Sequence, residues 1–170
     1  MPYCQQSLNE ASRANANVDI RETNDGKGYG LFARNNLSKG QHVFRGKALE
    51  IHSHASPHSI QTDWDRHVIM DLPAILVNHS CEANLGIRPN LFGAYDFVAL
   101  QDIDTGRELL WDYETAENEI TCEFQCNCGA PRCRSTLKGF HFNGSALVEA
   151  YGEENIAPYL LEQKPQEKTA

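Results

Sequence analysis

The chain has 170 residues, 41% of them hydrophobic, which is enough to bury one sizeable core, so a single domain with short appendages is expected. Its formal net charge of -8 argues against general binding to a phosphate backbone, which needs a basic surface, and favours a basic partner such as a lysine-rich peptide. No run approaches the ~20 apolar residues of a membrane-spanning helix, and the start MPYCQQSLNEASRANANVD has no basic stretch followed by an apolar one, so a soluble, unexported protein is expected.

In chain order the pattern is short strands with turn punctuation. Residues 1–17 read as an N-terminal extension. Val18–Glu22 leads into the glycine-rich Asp25–Gly30 (DGKGYG) and then Leu31–Ala33, and the turn Ser38-Lys-Gly40 precedes His42–Arg45. Ile51–His58 (IHSHASPH) presents His52, His54 and His58 with no acidic or thiol partner among them, and its Ser and Pro content reads as a solvated loop rather than a metal site. Arg66–Met70, Asn84–Arg88, Tyr95–Leu100 and Glu108–Tyr113 are too short and too β-branched or aromatic for helices. Between the first two of these lies VNHSCEAN, residues 77–84, with an amide, an imidazole, a hydroxyl and a thiol in a row, more polar chemistry than a turn alone requires. Ser145–Tyr151 and Asn155–Leu161 are the only helices the pattern predicts. The apolar residues from Phe140 to Leu161 predict a segment that docks, while the polar tail Glu162–Ala170 is expected to fray.

Six cysteines would fit a secreted disulfide scaffold, but four of them crowd between Cys122 and Cys133, which argues for metal in a reducing compartment. Cys126-Asn-Cys128-Gly-Ala-Pro-Arg-Cys133 has the spacing of a zinc knuckle, with glycine and proline bending the backbone so that thiolates converge. It supplies three of the four ligands that a tetrahedral structural zinc takes. The fourth comes from Cys122, which would complete a local site, or from Cys81, which would tie a distant loop to this one. Spacing alone favours the local option.

Three motifs in this order, Asp25–Ala33 (DGKGYGLFA), Val77–Asn84 (VNHSCEAN) and Gly106–Tyr113 (GRELLWDY) followed by the cysteine knuckle, resemble the SET-domain protein-lysine methyltransferases with a post-SET segment. The small size is similar to the stand-alone members. The resemblance implies a mostly β, β-clip fold of several small sheets with a knot-like core, in which the NHSC segment threads beside the final strand, plus short C-terminal helices. It divides the chain into a SET domain at 18–116, a post-SET zinc-binding segment at 117–140 and a C-terminal helical segment and tail at 141–170.

The function implied is S-adenosylmethionine-dependent methyl transfer to the side-chain amine of lysine in a protein, with a histone or other basic protein as substrate and no direct contact with nucleic acid or membrane. Carried over residue by residue, Gly28, Tyr29, Asn78 and His79 meet the cofactor, and Tyr113 is the active-site tyrosine. Trp111 lines the substrate channel at the position that sets how many methyl groups are added. One structural zinc is implied on Cys81, Cys126, Cys128 and Cys133, with Cys122 spare. The location expected is the cytoplasm, or the nucleus in a eukaryote. The chain departs from the family in having Tyr29 where many members carry Trp, Ala83 where a proline is usual, and no tyrosine between Ile60 and Leu76, where His67 stands on the predicted strand. A catalytically silent SET module that binds a basic peptide, with zinc as a staple, is the competing function.

Overall fold

The computed structural model describes residues 3–120 and 124–162. The strands β1 (Val18–Glu22), β2 (Tyr29–Ala33), β3 (His42–Arg45), β8 (Leu85–Pro89), β9 (Tyr95–Ala99) and β10 (Glu108–Trp111) form one sheet in the order β1-β2-β10-β8-β9-β3, with the two-residue β7 (Asn78–His79) added beside β10. A second sheet has the order β4 (Ala48–His52), β6 (Arg66–Met70), β5 (Ile60–Asp63), and β11 (Phe124–Gln125) pairs with β12 (Thr136–Leu137). The reading of residues 51–58 as loop is corrected at its start, since Ile51 and His52 end β4 and pair with Val68 and His67. His67 is buried, and its Nδ1 has no hydrogen-bond partner among the described residues. No helix of the described residues is long and apolar enough to cross a membrane.

The strands read from the pattern form because apolar side chains on successive strands share one interior, while Ala48–His52 and Ile60–Asp63 are strands that the pattern did not mark. Leu31, Phe44, Phe97, Leu109 and Trp111 are buried together, with Phe44 stacked on Phe97 at 4.6 Å and Phe97 edge-on to Trp111 at 5.7 Å. A smaller core of Cys81, Cys126 and Leu137 stands apart from it, with Ile120, Cys128 and Cys133 packed against it.

The C-terminal segment docks as its apolar content requires. The helix α2 (Phe140–Tyr151) and the short α3 (Pro158–Leu161) place Leu147, Tyr159 and Leu160 in the main core. The expectation of only two helices is corrected, because residues 5–14 also form a helix, α1 (Gln5–Ala14). Its buried apolar anchor is Leu8 alone. What fixes it is Arg34, whose guanidinium donates to the carbonyls of Ser12 at 2.6 Å, Asn15 at 2.5 Å and Val18 at 2.8 Å, tying the last turn of the helix and its cap to the start of β1.

Glu117 lies where the second sheet meets the C-terminal segment, its carboxylate accepting the Gln61 amide at 2.8 Å. Burial pushes its carboxyl from 4.5 up to about 7, against the effect of that amide. A carboxyl with a raised folded pKa favours the fold as the neutral acid, so this group's contribution falls as pH rises from 4.5 through about 7. Glu117→Gln keeps an acceptor without the charge. It is expected to match the parent near pH 4 and exceed it at pH 8 by on the order of 1–3 kcal/mol in thermal melts.

Candidate active site and thiol cluster

The polar stretch VNHSCEAN is built against β10. β7 pairs with it in parallel, Asn78 opposite Leu110 and His79 opposite Trp111, and β8 follows with Leu85 opposite the same Trp111. The intervening loop is pinned by Ser80 N donating to the Trp111 carbonyl at 3.0 Å and Asn84 N to that of Leu110 at 3.1 Å. The Asn84 carboxamide behaves like a further strand residue, donating to the Glu108 carbonyl and accepting the Leu110 amide, both at 2.8 Å. Asn84 escaped the sequence reading as a site residue, although it closes the motif.

Asn78 reaches the other way, toward β2. Its Nδ2 donates to Glu108 Oε1 at 3.0 Å and to the Tyr29 carbonyl at 3.3 Å. Gly30, also passed over, permits this approach: a Cβ there would lie 2.9 Å from Asn78 Nδ2 and 2.8 Å from Glu108 Oε1. Gly28 has a φ of +85°, and a Cβ at that position would meet nothing within 4 Å. The structure thus brings Gly28, Tyr29 and Asn78 together as a loop clasped to a side-chain amide, with open space over Gly28. Main-chain polar groups beside open space suit a polar cofactor.

His79 is almost fully buried, and both ring nitrogens are engaged. Nδ1 accepts the Tyr113 amide at 3.3 Å, and Nε2 lies 3.3 Å from Cys81 Sγ. Burial first, and then the Arg134 charge, lower its pKa to about 4, so the ring is neutral. With Nδ1 the acceptor, Nε2 carries the hydrogen and donates to the sulfur. The imidazole is therefore a brace between Tyr113 and the thiols.

Tyr113 opens a 3-10 turn, Tyr113–Thr115, directly after β10. Its hydroxyl donates to the Val77 carbonyl at 2.8 Å, and its ring lies 5.2 Å from the rings of both His79 and Trp111. Burial, with the Glu108 carboxylate, holds the phenol above its ordinary range, so it acts as a hydrogen-bond donor and not as a base. Trp111 is fully buried, with its indole N–H donating to Thr115 Oγ1 at 2.7 Å. Tyr95, which the sequence reading left out of the site, packs beside it at 6.4 Å and donates its hydroxyl to the Gln61 carbonyl.

The distant cysteine meets the knuckle. Cys81 Sγ is 3.8 Å from Cys126 Sγ, and the ligand atoms of His79, Cys81, Cys126 and Cys128 all lie within 4.8 Å of one another. That sulfur separation is the edge of a tetrahedron with metal–sulfur bonds of about 2.3 Å. Cys133 Sγ is turned to the Cys126 carbonyl at 3.6 Å and also packs on this small core. Burial pushes the Cys126 thiol up to about 11. Cys128 drops to about 6 despite burial, through the Cys81 and Ala130 amides and the neighbouring thiols. Such a set does not hold several thiolates together without a cation, and a divalent ion supplies the missing charge. The donor set fits zinc. Cys122 lies outside the described residues.

An NHSC segment paired beside β10, a glycine loop clasped by Asn78, a tyrosine in the turn that follows β10 and a thiol cluster together define a SET-type domain. Residues 28–114 match the SET domain family model, and the chain belongs to that family. The chain is 24% identical over 155 residues to "Histone-lysine N-methyltransferase ASHH2" of Arabidopsis thaliana, covering 79% of this chain and 9% of that protein. It is 40% identical over 67 residues to human "Histone-lysine N-methyltransferase 2B", covering 38% of this chain and 2% of that one. It thus spans less than a tenth of the length of these relatives. Among solved structures, KRYPTONITE in complex with mCHH DNA, H3(1-15) peptide and SAH has the same fold, with a TM-score of 0.55 at 20% identity over 71% of this chain and 29% of that one.

Proposed function

We propose that the chain catalyses methyl transfer from S-adenosylmethionine to the side-chain amine of lysine in a basic protein, a histone being the first candidate. The observation that carries this is the parallel pairing of β7 with β10, which sets Asn78 and His79 against the residues that immediately precede Tyr113. Histone-lysine methyltransferase relatives and the acidic charge of -8 support the same reading. S-adenosylmethionine, when bound, supplies a methyl group on a sulfonium sulfur. Gly28, Tyr29, Asn78 and His79 would hold it, while Cys81, Cys126, Cys128 and Cys133 would hold one structural zinc. His79 Nε2 lies among the same ligand atoms, and the knuckle spacing favours Cys133 as the fourth ligand.

The remaining work falls to the chain's own groups. Lysine with a pKa of about 10.4 arrives protonated, and a dry channel beside a cation favours release of that proton to solvent. The Tyr113 hydroxyl stays protonated and orients the amine. Incubation with labelled S-adenosylmethionine and a panel of histones, ribosomal proteins and cell lysate, followed by mass spectrometry, tests the reading. Cofactor binding without transfer to any of these would favour the silent module.

Asn78→Ala unties Tyr29 from Glu108. It is expected to weaken S-adenosylhomocysteine binding about tenfold, roughly 1.4 kcal/mol, by calorimetry; unchanged affinity would remove Asn78 from the cofactor site. For Trp111, the indole N–H is already given to Thr115, so no polar group of this side chain restrains a substrate amine. The enzyme is expected to carry lysine past the monomethyl state, and Trp111→Tyr to shift products toward monomethyl-lysine. Intact-mass analysis at long reaction times reads both, and a wild type that stops at one methyl would mean that indole bulk controls the channel.

A further inference from the structure

Arg134 follows the last knuckle cysteine, and it connects two regions that the reaction needs at once. Its main-chain amide donates to Cys81 Sγ at 3.4 Å. Its guanidinium Nη2 donates to Asp112 Oδ1 at 2.6 Å, and its Nε lies 2.9 Å from Glu114 Oε2, a contact of charges in which the N–H is not aimed at the oxygen. Asp112 and Glu114 flank Tyr113 in sequence, and both side chains are 0% exposed. Two carboxylates this deep require compensation, and one guanidinium bridges both.

The other contacts of these carboxylates all hold the turn that carries Tyr113. Asp112 Oδ1 accepts the Glu114 amide at 3.3 Å, and Tyr151 Oη is 3.1 Å from Asp112 Oδ2 and 3.1 Å from the Cys81 carbonyl. Glu114 Oε1 accepts the Lys138 amide at 2.6 Å and the Gly139 amide at 2.9 Å, and Oε2 accepts Asn143 Nδ2 at 2.9 Å. Apart from the Glu114 amide, these partners of the two carboxylates (Lys138, Gly139, Asn143 and Tyr151) come from residues 138–151. The strand β10 ends at Trp111, so the position of Tyr113 is not fixed by the sheet ladder. Besides its own bonds to His79 and the Val77 carbonyl, it is held through what grips its two neighbours.

The geometry points to Arg134 as a positioning residue for methyl transfer: it transmits the arrangement of the thiol cluster to the Tyr113 turn by gripping both adjacent carboxylates. This rests on the methyl-transfer reading given above. Arg134 touches neither substrate nor cofactor in this scheme and acts through Tyr113. A lysine at 134 would keep one positive charge, but a single ammonium lacks the fork that spans two carboxylates.

The test uses the full chain carrying R134K or R134Q. It measures bound zinc, S-adenosylhomocysteine affinity, kcat and KM for an unmethylated histone substrate, and amide hydrogen exchange across residues 108–117. R134K is expected to keep zinc and cofactor affinity near wild type while kcat falls about tenfold with little change in KM. Exchange should quicken at Glu114 and Thr115 and stay unchanged in β1 and β2. R134Q should lose more, and if it does not fold, R134K carries the test alone. R134K with wild-type kcat and unchanged exchange overturns the proposal. So does an R134K whose kcat falls only in step with lost zinc or general destabilisation, which would make Arg134 merely structural. Should the wild type transfer no methyl group at all, the exchange result still decides the Arg134 linkage, and the methyl-transfer reading falls by itself.

Discussion

Tyr113→Phe is expected to fold, to bind S-adenosylhomocysteine within about twofold of the parent, and to lose methyl transfer by about a hundredfold or more, in the range that follows loss of one oriented donor at a reacting centre. The ring is packed between His79 and Trp111 at 5.2 Å from each, and phenylalanine preserves that packing. Only the hydroxyl goes, and with it the bond to the Val77 carbonyl at 2.8 Å. Leaving that carbonyl unpaired costs about 1–3 kcal/mol of stability, small enough to leave a folded protein at 25 °C. A hundredfold loss in rate is about 2.7 kcal/mol of transition-state stabilisation. The two effects are separable, since a thermal melt reads the first and kcat at saturating cofactor the second. Near wild-type turnover would remove Tyr113 from the mechanism and leave its hydroxyl as a cap for the Val77 carbonyl.

Where local pattern and tertiary packing agree, the strands were legible: Val18–Glu22, His42–Arg45 and Arg66–Met70 form with the boundaries that alternation and turn residues indicate. The misses share a cause, which is that the stabilising partner lies far away in sequence. Nothing local announces α1, because its end is held by Arg34 across 22 residues. α2 begins at Phe140 and not at Ser145 because its first amides, those of Phe140 and His141, donate to the carbonyls of Glu117 at 2.8 Å and Asn118 at 3.0 Å, partners far upstream in sequence. β4 reads poorly as a strand because Leu49 and Ile51 are exposed, at 68% and 63%, so its apolar residues do not mark an inward face.

The candidate site shows the same division. Residue types in succession marked the polar NHSC run and the cysteine knuckle, and the resemblance to the SET family then named Asn78, His79, Cys81 and Tyr113. The partners of those residues were not legible. Gly30 looks like one more loop glycine until the Asn78 amide is seen where its Cβ would be. Asn84 and Arg134 read as ordinary polar residues until β10 and the two buried carboxylates are in view. Spacing favoured a local thiol site, whereas Cys81 comes to the knuckle across 45 residues because β7 and β10 hold its loop there.

That long connection decides what metal removal should do. The thiols sit in a small core of their own, apart from the large one that holds the strands and the C-terminal helices. The hairpin of β11 and β12 has two residues in each strand, too few to persist by pairing alone. Chelation is therefore expected to release the segment from 120 to 138 while the main sheet stays folded, because metal binding free energy here is the folding free energy of that segment. Activity should vanish with the metal, since Arg134 loses its anchor on Cys81 and the Tyr113 turn loses Arg134. Metal analysis should find one zinc per chain in the wild type and close to none in Cys81→Ser, whereas Cys122→Ser keeps it. Hydrogen exchange should rise in the knuckle before β1, β2 or β9 is affected, and a single cooperative melt of the whole chain on chelation would contradict this division. The fourth ligand is settled by Cys133→Ser: loss of zinc places Cys133 in the site, and retained zinc hands the position to His79, whose ring would then have to give up its hydrogen on Nε2 to bind the metal.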